Sequence, residues 1–366
     1  LPFFEKILFD STPKHGTALQ CYNLNRLFYH NAFTGAARME KRIHELYNPE
    51  ITAEALRRFG ADGEATPLDG FENFIYSYQR GGVPAVLRIG HELHRSPEMA
   101  AGEMDWIHFL AQQGVSVPDV IPSLDGQQVE VIPAADGSRF SAVSFTFAPG
   151  QHAARAEWES GLMVKVGRLV GRMNRLAINY QPVNPAARRP HCLDDQVDFD
   201  KFLPEGNDLV KQRYHALLDH LRALPTTPDV YGMIHQDVHG GNFFVHEGEI
   251  TLFDFDDCMY GWYAYDAAMA IFYTLSHNIH TPAEIRQAQR SYGEFMEGYT
   301  QEYELSKFWI AEIPNFFKLR EIDLYIAIHR SMDVNNLDPW CASFMANRKE
   351  KIEQEQPFAP LDFTTL

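Results

Sequence analysis

Residues 232–257 read GMIHQDVHGGNFFVHEGEITLFDFDD. Here His235, Asp237, His239 and Asn242 crowd between two apolar runs, YGMI before them and NFFV after. That is more polar side chains than a plain strand-to-strand connection requires. Gly240 and Gly241 permit backbone conformations that other residues resist, so the polar residues are expected on a tight loop. Loops on rigid scaffolds are where catalysis concentrates. From Asp237 to Asn242 the pattern is D-x-x-x-x-N, and the hairpin FFVHEGEITLFDF, turning at HEGE, brings the chain back at Asp254. The hairpin should therefore gather two carboxylates and an amide in one place. Phosphoryl transfer needs such a set: a carboxylate to orient and deprotonate an acceptor hydroxyl, and an amide plus a second carboxylate to hold Mg²⁺ on nucleotide phosphates.

A second chemistry fits part of the pattern. On an extended strand His235, Asp237 and His239 would point the same way, as in a metallohydrolase binding Zn²⁺ or Fe²⁺ through imidazoles. Such a site needs further His ligands downstream and has no use for Asn242 with Asp254.

Taken together, the motifs resemble the aminoglycoside phosphotransferase and choline kinase-like superfamily, small-molecule cousins of the protein kinases. The residues that carry the resemblance are the H-x-D-x-H-x-x-N loop (His235, Asp237, His239, Asn242), the metal strand FDFDD with Asp254, and GWYAYDAAMA. This last segment is similar to the family's G-D-P-x-Y-D-L-A, with Asp266 at its aspartate and Trp262 and Tyr263 in place of the usual acid and proline. The resemblance implies an α+β, bilobal protein-kinase-like fold: a small, mostly antiparallel-β amino-terminal lobe and a larger, mainly helical carboxy-terminal lobe. It implies ATP and Mg²⁺ as cofactors, Asp237 as catalytic base, Asn242 and Asp254 as Mg²⁺ ligands and Asp266 as a structural acid. His235 would brace the loop, and His239 would either brace it or touch substrate or phosphate.

The amino-terminal half extends this reading. In FENFIYSYQRGGVPAVLRIG, Phe74, Tyr76 and Tyr78 alternate with Ile75 and Ser77 before the turn RGG, which predicts a β-hairpin. SPEMAAGEMDWIHFLAQQG predicts a helix with Ser96 as N-cap, Pro97 at its first position and Gly114 at its end. Glu103 falls inside the apolar stripe of Met99, Trp106, Ile107 and Leu110, and a buried carboxylate requires a partner. By the resemblance that partner is Arg88 of AVLRIG, standing where kinases carry a phosphate-binding lysine. Arg keeps the charge, but its fork is not interchangeable with an ammonium. That exchange also motivates a nucleotide-binding pseudokinase as an alternative, and a protein Ser/Thr kinase is a further one. Gly70 and Asn73 sit where the family's nucleotide loop runs, and FTFAP where adenine would be met. The expected domains are an extension of uncertain origin at 1–38, with Met39 as a natural start, a nucleotide-binding lobe at 39–147 and a catalytic and substrate-binding lobe at 148–366. The Pro-Gly segment APGQ is the expected hinge.

Beyond the hinge, Met163, Val166, Val170, Met173 and Ala177 recur at helical spacing. Near the carboxy terminus Phe316, Arg320, Asp323 and Ala327 fall along one helical line, so Arg320 and Asp323 could bind a zwitterionic acceptor or form an i,i+3 pair. The aromatic group Trp262, Tyr263, Tyr265, Phe272 and Tyr273 is expected in the core rather than in a substrate cage.

The chain has 366 residues, 45% of them hydrophobic, enough for two lobes. A net charge of −17 argues against nucleic acid and anionic membranes as partners and suits a cationic small molecule bearing a hydroxyl. The resemblance leaves the acceptor open among amino alcohols, amino acids such as homoserine, sugars and aminoglycosides. Four cysteines (Cys21, Cys192, Cys258, Cys341) lack metal or disulfide spacing, and with no signal-like or membrane-spanning run the expected compartment is the cytoplasm.

Overall fold

The computed structural model describes residues 41–366 except 69, 71, 155, 156, 159, 195–197, 276–280 and 364–366. The expected extension at 1–38, the expected start at Met39 and Cys21 lie outside the described residues.

Two short helices, α1 (Lys41–Leu46) and α2 (Pro49–Arg58), precede the main sheet. The Asn48 side chain caps α2 by accepting from the backbone N–H groups of Glu50 and Ile51, and Pro49 occupies the first turn, where its missing N–H costs nothing. The sheet contains β1 (Thr66–Leu68), β2 (Phe74–Arg80), β3 (Val83–His91), β4 (Glu130–Pro133) and β5 (Arg139–Thr146), in the order β1-β2-β3-β5-β4. Every pairing is antiparallel. The predicted hairpin is β2–β3, with Arg80 opposite Val83. Gly81 and Gly82 both have positive φ, +59° and +74°, the two-residue turn whose twist matches the strands it joins. Tyr78, Ala85, Leu87, Ile89, Phe140 and Ala142 of this sheet pack with Ile51, Ala55 and Phe59 into one core.

Helix α3 (Pro97–Gln112) follows β3 and begins as expected: the Ser96 hydroxyl accepts from Met99 N at 3.2 Å, and Gly114 follows its end at φ +70°. Its apolar face, Met104, Trp106, Ile107 and Leu110, belongs to the second, larger core rather than to that of the sheet. Two features press it there. A Cβ on Gly102 would lie 2.0 Å from the Ala187 carbonyl oxygen, so only glycine admits that approach. The buried Arg189 donates from Nε to Cys258 O at 2.7 Å and from a terminal nitrogen to Met99 O at 3.3 Å, tying the start of α3 to the second core.

That core is built on α4 (Leu162–Ala177), α5 (Asp208–Arg222), β6 (Tyr231–Ile234), β7 (Phe243–His246), β8 (Glu249–Leu252), β9 (Met259–Trp262), α6 (Tyr263–Phe272), α7 (Pro282–Tyr299), α8 (Lys307–Ser331), α9 (Pro339–Met345) and α10 (Arg348–Glu353). β7 and β8 form the expected hairpin, and β6 pairs antiparallel with β9. The predicted apolar stripe of α4 is buried, from Met163 to Ala177. Trp262, Tyr263, Tyr265, Phe272 and Tyr273 are buried as predicted, and Trp262 Nε1 donates to Pro225 O at 2.8 Å. Among the described residues no helix is long and apolar enough to cross a membrane.

Candidate active site

A cavity of about 280 Å³ opens between the five-stranded sheet and the β7–β8 hairpin. One end is apolar, with Val86, Ile107, Phe145, Phe147 and Phe244 in its wall, beside the backbone of the FTFAP segment. The other end carries Arg88, Glu103, Asn242 and Asp254. The expected hinge is held against the hairpin by paired backbone bonds between Gln151 and Val245, 3.2 and 2.7 Å long. An apolar slot leading to one cation and two carboxylates fits a nucleotide whose base is buried and whose phosphates need a divalent cation between them and the acids.

The loop between β6 and β7 carries Asp237, and its carboxylate is closely attended. Asn242 Nδ2 donates to Asp237 Oδ2 at 3.1 Å and to its carbonyl at 2.9 Å. With the amide nitrogen so committed, the Asn242 oxygen is the end left for a cation. His239 Nε2 lies 3.3 Å from Asp237 Oδ2, while its Nδ1 accepts from Gly241 N at 2.9 Å. Burial raises the Asp237 pKa, but His239 and then Arg320 outweigh it and hold the carboxyl well below the usual carboxylate range.

His235 is fully committed to bracing. Its Nε2 donates to Phe253 O at 3.2 Å and its Nδ1 accepts from Asp237 N at 3.3 Å, joining the loop to the residue before Asp254. Burial lowers its pKa, in keeping with a neutral ring that has one donor and one acceptor nitrogen. Both imidazoles therefore use Nδ1, the lone-pair nitrogen, on backbone N–H groups, which removes the basis for a His-Asp-His metal site. Asp266 sits under the loop at 0% exposure, accepting from Gln236 N at 2.9 Å and from Asn174 Nδ2 at 2.9 Å. Burial raises its pKa, opposed by those hydrogen bonds.

One expectation is corrected here. Gly240 and Gly241 do not take left-handed conformations; Gln236 (φ +72°) and Asp254 (φ +66°) do. The strained residues are those whose backbone turns the two carboxylates inward, a common place for strain at functional sites. Gly240 is small for another reason: a Cβ there would meet the Trp158 ring at 2.9 Å.

On the sheet side, Arg88 and Glu103 form the expected pair, with the two terminal nitrogens of Arg88 2.8 and 2.6 Å from the two Glu103 oxygens. The match is bidentate and both side chains are buried. Asp256 lies 3.6 Å from Arg88, and His94 Nε2 approaches Asp256 at 2.7 Å and Glu72 at 2.9 Å. His94 is pushed up to about 10: burial lowers its pKa, and the bonds to Asp256 and Glu72 more than offset that. Asp257 is instead half-exposed, bonded to Arg95 at 2.7 Å. Sequence reasoning missed His94 and Arg95 because HELHR carries no period and its partners Asp256 and Asp257 lie 162 residues away. Asn174 was detectable, as the polar residue on the buried stripe of α4. Gly70 and Asn73 lie on the β1–β2 connection and do not line the cavity; the Asn73 side chain instead folds close to Gly90 of β3.

Arg320 and Asp323, expected to act together, part company. Asp323 is buried and accepts from the Tyr214 hydroxyl at 3.0 Å. Arg320 turns to the loop, with a terminal nitrogen 3.4 Å from Asp237 Oδ1 and a hydrogen bond to the Tyr273 hydroxyl.

The family model described as "Phosphotransferase enzyme family" matches residues 64–305. The chain belongs to this family. The phosphotransferase is 33% identical over 333 residues to the amicoumacin kinase of Bacillus subtilis (strain 168), covering 90% of this chain and 99% of that one. A solved amicoumacin kinase, in complex with AMP-PNP and Ca²⁺, is 32% identical, with a TM-score of 0.83 over 89% of this chain and 99% of that one. A microcompartment-associated aminopropanol kinase shares the fold at 24% identity and a TM-score of 0.66, covering 84% of this chain and 97% of that one. The phosphotransferase thus has the bilobal protein-kinase-like fold and is an ATP- and Mg²⁺-dependent kinase acting on a hydroxyl of a small molecule.

Proposed function

We propose that the enzyme phosphorylates a hydroxyl of an amicoumacin-like or amino-alcohol acceptor, with Asp237 as the catalytic carboxylate. The observation that carries this reading is the Asp237 carboxylate, held by His239 and by Asn242, the latter lining the cavity that also holds Glu103 and Asp254. The nearly full-length likeness to amicoumacin kinase supports the acceptor class.

Asn242 and Asp254 would hold Mg²⁺, which neutralises phosphate charge as it shifts toward the leaving group. Arg88, fixed by Glu103, faces the phosphate end of the cavity, and Gly70 and Asn73 belong to the connection that would cover it. The acceptor oxygen bonds to the γ-phosphorus as the bond to the ADP oxygen breaks, and the hydroxyl proton passes to Asp237 and then to solvent. A carboxylate held so acidic is a weak base. Its work is first to orient the hydroxyl, and the proton moves late, as suits a loose transition state. Asp266, His235 and His239 keep the loop in place. The lobes are assigned to 39–147 and 148–366, and the compartment to the cytoplasm, where ATP is at hand and where Cys192, Cys258 and Cys341 remain unbridged.

The test is Mg²⁺-dependent ADP release with amicoumacin, amino alcohols, homoserine and aminoglycosides as acceptors, with Asp237→Asn as control. Turnover with one acceptor that the control loses supports the reading. Turnover that survives in the control rejects it.

A further inference from the structure

Arg320 is a half-buried cation that reaches Asp237 from outside the loop between β6 and β7. It projects from α8 and is held on two sides: one terminal nitrogen reaches both Asp237 Oδ1, at 3.4 Å, and the Tyr273 hydroxyl, and its guanidinium lies 5.3 Å from the centre of the Tyr273 ring. Tyr273 follows α6 and is itself packed edge-on to His239, so this side chain cannot swing freely. Yet Arg320 Nε is buried and has no hydrogen-bond partner among the described residues. Buried guanidinium donors are ordinarily satisfied, because an N–H removed from water without an acceptor is costly. The donor lies on the same side chain that touches the reactive carboxylate.

We propose that Arg320 is a specificity-determining residue that binds an oxygen of the acceptor next to the hydroxyl being phosphorylated. The class so selected is a hydroxyl flanked by a carbonyl, carboxylate or second hydroxyl. This deepens the kinase reading and rests on it. Two physical arguments support it. A neighbouring oxygen supplies the acceptor that Nε lacks while the hydroxyl engages Asp237. An ammonium in the same position would face the Arg320 charge at close range, so any amine of the substrate belongs on the far side of the hydroxyl.

The probes are 1-amino-2-propanol and 3-amino-2-hydroxypropanamide, which share the amine and the carbinol and differ in the carbonyl beside it. Binding of each to the Mg²⁺·ADP-loaded enzyme is followed by saturation-transfer NMR, and ADP release from ATP is measured in parallel. In the wild-type enzyme the hydroxyamide is expected to bind and react at least tenfold better. In Arg320→Met that preference should vanish, with the KM for ATP unchanged; Arg320→Lys, which keeps the charge without the fork, should recover only part of it. Equal binding of the two probes, binding of neither, or a preference that survives in Arg320→Met overturns the proposal. If the amino alcohol is turned over and Arg320→Met does not affect it, the kinase reading stands and this inference alone fails. If Asp237→Asn leaves turnover intact, the kinase reading itself fails.

Discussion

Two arginines flank the site, the buried Arg88 beside the cavity and the half-buried Arg320 beside Asp237. Arg88 meets both oxygens of Glu103 with its two terminal nitrogens, and Asp256 stands behind it. Arg320 makes one long contact to Asp237 and one to a tyrosine, and leaves Nε without a partner among the described residues. The first is finished by the protein; the second, on our proposal, is completed by the acceptor. Every ATP is the same molecule, so its side of the cavity can be fully assembled in advance, whereas acceptors differ between relatives and their recognition requires donors left for the ligand.

The largest effect is expected at the carboxylate proposed to orient the acceptor hydroxyl. Asp237→Asn should lower turnover by about 10²- to 10⁴-fold with nucleotide affinity retained, measured by ADP release and nucleotide titration. Glu103→Gln probes the finished arginine. It leaves Arg88 with a neutral group at Glu103 and only the longer contact to Asp256, and should cost up to about 3–5 kcal/mol of stability, read from urea unfolding. Arg320→Met should cost visibly less in the same assay, and an equal or larger loss would break the distinction between the two arginines. Gly102→Ala sharpens the nucleotide side, since its methyl would drive α3 off the Ala187 carbonyl. We expect a loss of about 1–3 kcal/mol and a raised KM for ATP, because Glu103 moves with the helix.

A different kind of effect is a pH dependence. His94 has a folded pKa of about 10 against 6.5 for the free side chain, because Asp256 and Glu72 favour its charged form. A raised folded value stabilises the protonated state. The contribution is therefore complete below about 6.5 and is lost as pH rises through about 10. Thermal midpoints of the wild type should fall across that window more steeply than those of His94→Gln. Parallel curves would show that the His94 bridge adds nothing.

The loop between β6 and β7 was readable in advance because its geometry is local. His235, Asp237, His239 and Asn242 lie within one short turn, and a four-residue-stranded hairpin returns the chain to Asp254. Glu103 was readable for a different reason: a carboxylate in the buried stripe of a helix needs a partner, and the family resemblance pointed to Arg88 in the strand before it. The glycines misled, because glycine permits a left-handed conformation without requiring it, while Gln236, whose N–H is held by Asp266, and Asp254 adopt one.

What the sequence determined alone is whatever short-range periodicity and spacing encode: the hairpins, the capped α3, the apolar stripe of α4 and the order of the catalytic groups. What only the tertiary structure decided is which distant charges meet. His94 finds Asp256 across 162 residues, and Arg320 turns to Asp237 across 83 instead of pairing with Asp323 three positions away. Helical phase places Arg320 and Asp323 on neighbouring faces, but whether they pair depends on the groups packed opposite. Tyr214 reaches Asp323 from α5 and Tyr273 reaches Arg320 from the end of α6. Those partners are set by how helices pack in the larger core, and no window of sequence contains that information.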